Sequence, residues 1–439
     1  MGNALEPESE LGTRAIYRRL ARNSAYLAGG TAASALFMML AAVLNARALS
    51  AREFGVLVLF QSATMMVSTL MSFSTQQPVI KLGSIALAEG NLERLGKIVG
   101  LGLLFDIMAA LAAAAIAFVL LFLGRDWFGL DRHVLGIGNL FAASLLFNGF
   151  LSANGVFRLF NRFGLLSMIQ AGCSAGLLAV TAYLYISDAQ FEAFCWAWAI
   201  YYALNAQIPL LVGLHLARRA GVPLGFASVK LGRADLRTFF AYCWTTWGMA
   251  TVEALRSNGD SLLVGSAVSV EAAGIYNVAK QLAGVLRKLN TVYASAAFPE
   301  ISTLSAQGKD ASARRVRVKM LWVGAAVGAV AVSVAFFAGR PILGLLFGPG
   351  FTSAWIPLAI LTGAAAAQLI SHTLSMYIQV YVGPEKLFRL YLLAIIPFLL
   401  VVLPLTTAFS ITGTALAQLL FSLTLIYLCH VTLRRADAA

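Results

Sequence analysis

Apolar runs long enough to cross a bilayer as helix, about 20 residues each, recur twelve times along this chain. They fall at 24–46, 55–76, 97–123, 134–153, 163–186, 191–214, 238–267, 274–298, 320–339, 351–378, 387–408 and 411–431. Charge, glycine and proline bound them. No water-soluble fold accommodates the pattern, because 60% of the 439 residues are hydrophobic and only 12% are charged, roughly half the charge of a soluble domain. The solvent must be lipid. The reading is an all-α polytopic membrane protein of 12 transmembrane helices. The first run follows a polar stretch and is full-length, so it reads as a spanning helix rather than the short apolar core of a signal peptide.

In a soluble protein, a net charge of +13 would point to nucleic acid. Here the charge sorts by side. An even number of spans puts both ends together, and the connections on that side, with the ends themselves, carry 23 of the 32 lysines and arginines. The opposite side carries five: Arg47, Arg52, Arg125, Arg132 and Arg340. Cytoplasmic loops hold the excess of basic residues, so both termini are expected in the cytoplasm and nucleic acid is not a partner. Arg14, Arg18 and Arg22 recur every four residues beside Ile16 and Leu20. That stripe fits a short helix on the anionic inner leaflet, or equally a basic leader that only orients the first span.

The chain also repeats itself. Residues 48–57 read ALSAREFGVL and residues 267–276 read AVSVEAAGIY, so that Ser50 matches Ser269 and Gly55 matches Gly274 at an offset of 219. A proline follows in each half, Pro78 and Pro299. Six spans separate the copies, so they share an orientation, as in transporters built from parallel repeats about an axis along the membrane normal. The expected organisation is a basic cytoplasmic segment 1–23, an N-lobe 24–216 of six spans, a linker 217–237, a C-lobe 238–431 of six spans, and a cytoplasmic tail 432–439.

Charges within the spans mark function, because each costs at least about 2.5–3.5 kcal/mol at the bilayer centre. Seven lie deeper than the first turn of a span, and six of them are on spans 7 and 8: Glu253, Arg256 and Asp260, then Lys280, Arg287 and Lys288. At i, i+3, i+7 spacing, Glu253, Arg256 and Asp260 share a helical face. They form either a self-neutralised structural triad or acids poised to exchange a proton or cation. Lys280 and Arg287 lie seven apart on span 8 with Asn277, Gln281 and Gly284 nearby, and no acid on that helix neutralises them. Such a stripe fits a cavity wall that receives an anion, although Arg287 and Lys288 also have the reach to snorkel to the cytoplasmic end. The seventh charge, Asp106 on span 3, reads as a helix-packing hydrogen bond. The four cysteines and four histidines are scattered singly, which predicts neither disulfide nor metal site, and no cofactor is expected.

The stretch NGDSLLVGSAVSVEAAGIYNVAKQLAGVLRKLNTVYASAAFPEIS, with the later RPILGLLFGPGFTSAWIPLAIL, resembles the polysaccharide-transporter branch of the multidrug/oligosaccharidyl-lipid/polysaccharide flippases, the Wzx type. The residues that carry the resemblance are Asp260, Gly265, Gly274 with Tyr276, Phe298-Pro299, Leu346-Phe347-Gly348, Phe351 and Ala354. Leu49-Ser50 with Phe54-Gly55 echoes them in the first half. The resemblance covers effectively the whole chain. It implies two six-helix lobes whose spans 1, 2, 7 and 8 line a central cavity, and a cargo of polyprenyl-diphosphate-linked oligosaccharide carried from the inner to the outer leaflet. It implies membrane lipids and polysaccharide polymerase or assembly machinery as partners. A diphosphate needs Arg or Lys to replace its hydration, so Arg256, Lys280, Arg287 and Lys288 are the expected anion ligands. Gln61, Tyr276 and Asn277 are the expected sugar contacts, and Glu253 and Asp260 the coupling-ion candidates. A cation-coupled multidrug exporter of the same superfamily is the alternative. A membrane polymerase or ligase is the enzymatic rival. Its large catalytic outer loop is missing, since the longest outer connections run only over 124–133 and 340–350.

Overall fold

All twelve apolar runs fall mainly on helix in the computed structural model, which describes residues 13–124, 132–224, 232–306 and 310–438. The first half folds as α1 (Thr13–Ala48), α2 (Ala51–Met71), α3 (Gln76–Ala88), α4 (Leu92–Gly124), α5 (Arg132–Ser144), α6 (Leu151–Leu159), α7 (Phe163–Ile186) and α8 (Phe191–Arg219). The second half folds as α9 (Arg233–Ser257), α10 (Gly259–Ala267), α11 (Val270–Ala306), α12 (Asp310–Phe347), α13 (Trp355–Tyr381) and α14 (Pro384–Ala438). No strand occurs among the described residues, as lipid demands when backbone groups have no water to bind. Among the described residues, nine stretches have the length and hydropathy of membrane spans. Their outward faces carry exposed apolar side chains, such as Ile186 at 83% exposure and Phe337 at 82%, which only hydrocarbon solvates well.

The longest stretch, Glu385–Arg435, is a hairpin. Ser410 breaks α14 with φ 53° and ψ −140°, and Thr406 Oγ1 lies 2.8 Å from Thr414 Oγ1. Residues eight apart on a straight helix would be about 12 Å apart. Gly413 permits the reversal, because a Cβ there would fall 1.8 Å from the Leu405 carbonyl oxygen. Arms 384–409 and 411–438 therefore run side by side, with Phe398 and Phe421 edge to face at 6.2 Å.

The sequence repeat is also a repeat of helix boundaries. α1 ends at Ala48 and α10 at Ala267, while α2 opens at Ala51 and α11 at Val270. Ser50 caps α2 in a capping box with Glu53, and Ser269 Oγ accepts from the Ala272 amide at 3.0 Å. Each serine satisfies an amide that the first helical turn cannot. Carried further, the offset of 219 sets the α7–α8 turn against the Ser410 break. The two copies meet each other. A Cβ on Gly55 would lie 2.1 Å from the Val270 carbonyl oxygen, and one on Gly274 would lie 3.1 Å from Gly55 Cα, so α2 and α11 cross backbone to backbone. Phe54 packs edge to face on Phe351 at 5.7 Å. Arg47 donates to the Leu346 carbonyl at 2.7 Å and to that of Leu345, across the halves. The end bearing the repeat turns is shut.

Two predicted features come out differently. Arg14, Arg18 and Arg22 lie on α1, which runs unbroken into the first span rather than forming a separate surface helix; their side chains lie outside the described residues. Span 7 divides at Asn258, where α9 stops and α10 starts.

Candidate substrate cavity and its ion network

That division at Asn258 rearranges the charges. A continuous helix would have set Asp260 on the face of Glu253 and Arg256. The Asn258-Gly259 step, a turn dipeptide, instead swings Asp260 to α11. There its Oδ1 accepts from Lys280 Nζ at 2.6 Å and from the Ser261 amide at 2.6 Å. Its Oδ2 accepts from Tyr276 Oη and from Gln418 Nε2, both at 2.9 Å. Lys280 also donates to the Ser257 carbonyl and to Ser261 Oγ at 3.0 Å. The expected triad is thus two pairs. Arg256 donates to Glu253 through Nε at 3.0 Å and Nη2 at 2.5 Å, to Gln418 Oε1 at 2.5 Å, and lies 5.2 Å from the Phe421 ring centroid. Gln418 is the hub that sequence reasoning missed: its amide also donates to the Arg256 carbonyl at 2.7 Å. Its one signal was an amide inside the last apolar run.

A cavity of about 400 Å³ lies where α1, α2 and α8 face α10 and α11. Gln61, Asn258, Asn277, Lys280, Gln281 and Arg287 are its charged and amide lining, Met38, Met39, Met65 and Leu36 are among its apolar lining, and none of the residues lining it is acidic. Spans 1, 2, 7 and 8 therefore do converge on one space. Of the residues expected there, Gln61, Asn277, Lys280 and Arg287 line it. Lys280 arrives already paired. Arg287 keeps one hydrogen bond among the described residues, to the Lys280 carbonyl at 3.4 Å, leaving most of its donors for a ligand.

Two expected residues lie elsewhere. Tyr276 is fully buried and spends its hydroxyl on Asp260, so it touches no cavity. Arg256, at 2% exposure, faces a second cavity of about 700 Å³ within the C-lobe, whose wall includes Glu253, Gln368, His372, Gln379 and Tyr391. Arg287 lines both cavities. Lys288 continues α11, but its side chain lies outside the described residues. Asp106 is a packing residue: its carboxylate accepts from Thr75 Oγ1 at 2.6 Å and from the Ser152 amide and hydroxyl at 2.9 and 2.5 Å, tying α4 to α3 and α6.

Comparison with known proteins places this architecture. The family described as "Polysaccharide biosynthesis protein" matches residues 20–305. The chain is 23% identical to Inner membrane protein YghQ of Escherichia coli over 345 residues, covering 77% of this chain and 95% of that protein. It is 27% identical to Probable flippase AglR of Haloferax volcanii over 164 residues, covering 37% of this chain and 34% of that protein. Among solved structures it is similar to the inward-facing conformation of a multidrug resistance MATE family transporter of the MOP superfamily. That match has a TM-score of 0.73 at 10% identity, covering 92% of this chain and 96% of that one. A structure of the MATE multidrug transporter DinF-BH matches with a TM-score of 0.64 at 14% identity, covering 98% of both chains. The likeness at such identities is one of fold, and the match across residues 20–305 makes the chain a member of the polysaccharide biosynthesis protein family.

Proposed function

We propose that this protein is a flippase of the inner membrane that carries a polyprenyl-diphosphate-linked oligosaccharide to the outer leaflet, for assembly of a surface polysaccharide. The observation that carries this reading is the interlobe cavity: Arg287 and Lys280 with four amides, and no acid in the lining. A diphosphate loses strong hydration on leaving water, and a guanidinium with unspent donors replaces it bidentately. Amides suit hydroxyl-rich sugars, and the apolar lining of Met38, Met39, Met65 and Leu36 suits a prenyl chain. The lobes rock about the Gly55–Gly274 crossing, and twelve spans keep both termini cytoplasmic. A polysaccharide polymerase or assembly complex is the partner that would take the cargo outside.

The multidrug reading draws on the fold neighbours and on Glu253, an acid half exposed toward the C-lobe cavity. A cationic drug needs negative charge where it binds, and the interlobe cavity offers the opposite sign. Glu253 serves instead as the site where a proton or cation couples. Asp260, saturated by Lys280, Tyr276, Gln418 and Ser261, does not. This is a transporter rather than an enzyme.

The test is mass spectrometry of lipids from cells lacking the gene, complemented with wild type, Arg287→Ala or Arg287→Lys. The deletion is expected to accumulate a diphosphate-linked oligosaccharide and to lose surface polysaccharide. Arg287→Ala is expected to cut transport roughly tenfold to a hundredfold, the size of a lost charge-assisted hydrogen bond at about 1.5–3 kcal/mol, with Arg287→Lys intermediate. An unchanged lipid profile alongside new sensitivity to cationic drugs would replace the flippase with an exporter.

A further inference from the structure

Irregular backbone at membrane depth is tolerated only where it is buried in protein or lines a wet cavity, and broken helices mark binding sites in transporters. One such break lies inside a candidate span of the N-lobe, Val134–Leu159, and the irregular turn just past the end of α2 converges on it. The predicted span 134–153 does not run through as helix. After α5 the chain takes a single 3-10 turn at Leu145–Phe147, then leaves helical geometry at Asn148, Gly149 and Phe150 before α6. Gly149 sits at φ +92° with Ser72 Oγ only 3.3 Å from where a Cβ would stand. Between α2 and α3 the chain is also irregular at 72–75, with Ser74 at φ 48°. Gln207 Nε2 donates to the freed Phe147 carbonyl at 2.8 Å, so the break is braced by α8.

Between the break and the turn lies a cavity of about 230 Å³. Its lining combines the side-chain amides of Asn148, Asn154, Gln170 and Asn205 with the hydroxyls of Ser68, Thr69, Ser72 and Ser74, and it contains no charged residue. Asn205 Oδ1 is buried with no hydrogen-bond partner. A buried acceptor left unpaired costs free energy until something donates to it. The cavity adjoins the cationic one along α2, since Met65 lines the interlobe cavity and Ser68 lines this one, a single helical turn further on.

We infer that this N-lobe cavity is a subsite for uncharged sugar residues of the cargo, so that the lobes divide the head group: C-lobe for diphosphate, N-lobe for glycan. The inference rests on the flippase reading of the interlobe cavity. Amides and hydroxyls offer both donors and acceptors, which a sugar's hydroxyls match one for one. A uronic acid or an amino sugar with a free amine would enter without a counter-charge. Asn205 Oδ1 is the acceptor that a sugar hydroxyl satisfies.

The experiment measures binding to purified full-length protein of two probes: the lipid-linked oligosaccharide extracted from cells lacking the gene, and sugar-free polyprenyl diphosphate. Asn205→Leu and Asn154→Ala are each expected to weaken the glycosylated probe about tenfold, the consequence of losing one or two neutral hydrogen bonds. The sugar-free probe should bind both variants as it binds wild type, which also shows that they are folded. Arg287→Ala should weaken both probes. Equal affinity of the asparagine variants and wild type for the glycosylated lipid overturns the glycan subsite and leaves the diphosphate site standing. Failure of Arg287→Ala to weaken either probe overturns the flippase reading itself. An oligosaccharide whose first sugars prove charged in the mass spectrum also overturns the subsite.

Discussion

At Asp260, expected from its spacing to exchange an ion, the hydrogen-bond geometry argues instead for a structural clamp. Four different residues donate to its carboxylate, and it is 2% exposed, so protonating it would orphan Lys280 in a low-dielectric interior. Removing one member of a buried pair costs about 3–5 kcal/mol. Asp260→Asn is therefore expected to lower the thermal midpoint of the detergent-solubilised protein sharply, and Asp260→Asn with Lys280→Gln to recover part of the loss, as direct partners do. Glu253→Gln should lower the midpoint less than Asp260→Asn, since position 253 is half exposed and a glutamine carbonyl can still accept from the buried Arg256 guanidinium, yet it should flatten the dependence of transport on an imposed ion gradient. Equal midpoints for the two single variants would sink the distinction between clamp and coupling site.

Elements meet most tightly where the repeat crosses itself. Glycine at Gly55 and Gly274 is required by closeness rather than by backbone conformation, but the two positions are not equivalent. A methyl at Gly55 collides with a backbone carbonyl at 2.1 Å, whereas at Gly274 the nearest atom stands at 3.1 Å. Real Cβ atoms do not approach backbone as closely as 2.1 Å, so α2 and α11 must separate. Gly55→Ala is expected to abolish closure of that end and most transport, with Gly274→Ala retaining a substantial share. Transport assays on the two variants side by side decide it, and the reverse order would place the pivot elsewhere. The Arg47 guanidinium reinforces the seal by capping carbonyls at the C-terminal end of α12, where the helix dipole favours a cation.

For the whole molecule, the sealed end carries the repeat turns, and the basic residues gather on the other side. With basic residues expected on the cytoplasmic side, the cavity is expected to face the cytoplasm. In a variant without native cysteines, Gln281→Cys is expected to react with a membrane-impermeant thiol reagent in inside-out vesicles and to be protected in right-side-out vesicles. Reaction from the outside alone would invert the topology. The same orientation expects a C-terminal reporter to be active in the cytoplasm.

The apolar runs, the basic sidedness and the 219-residue repeat determined the membrane class, the helical segments and the pairing of halves, because span length, hydropathy and turn capping are local properties of the chain. The charged residues of spans 7 and 8 also stood out by composition alone. Their partners did not. Helical spacing set Asp260 beside Arg256, but the step at Asn258 turned it to Lys280, and only the tertiary structure brought Gln418 in from 158 residues away. The same holds for the cavity wall. Arg287 and Gln61 came to line one cavity, Tyr276 was buried and the broken backbone at 148–150 met Ser72 just past α2 through packing of separate helices. A single chain's periodicity says which face of a helix is polar, but not which other helix that face will meet.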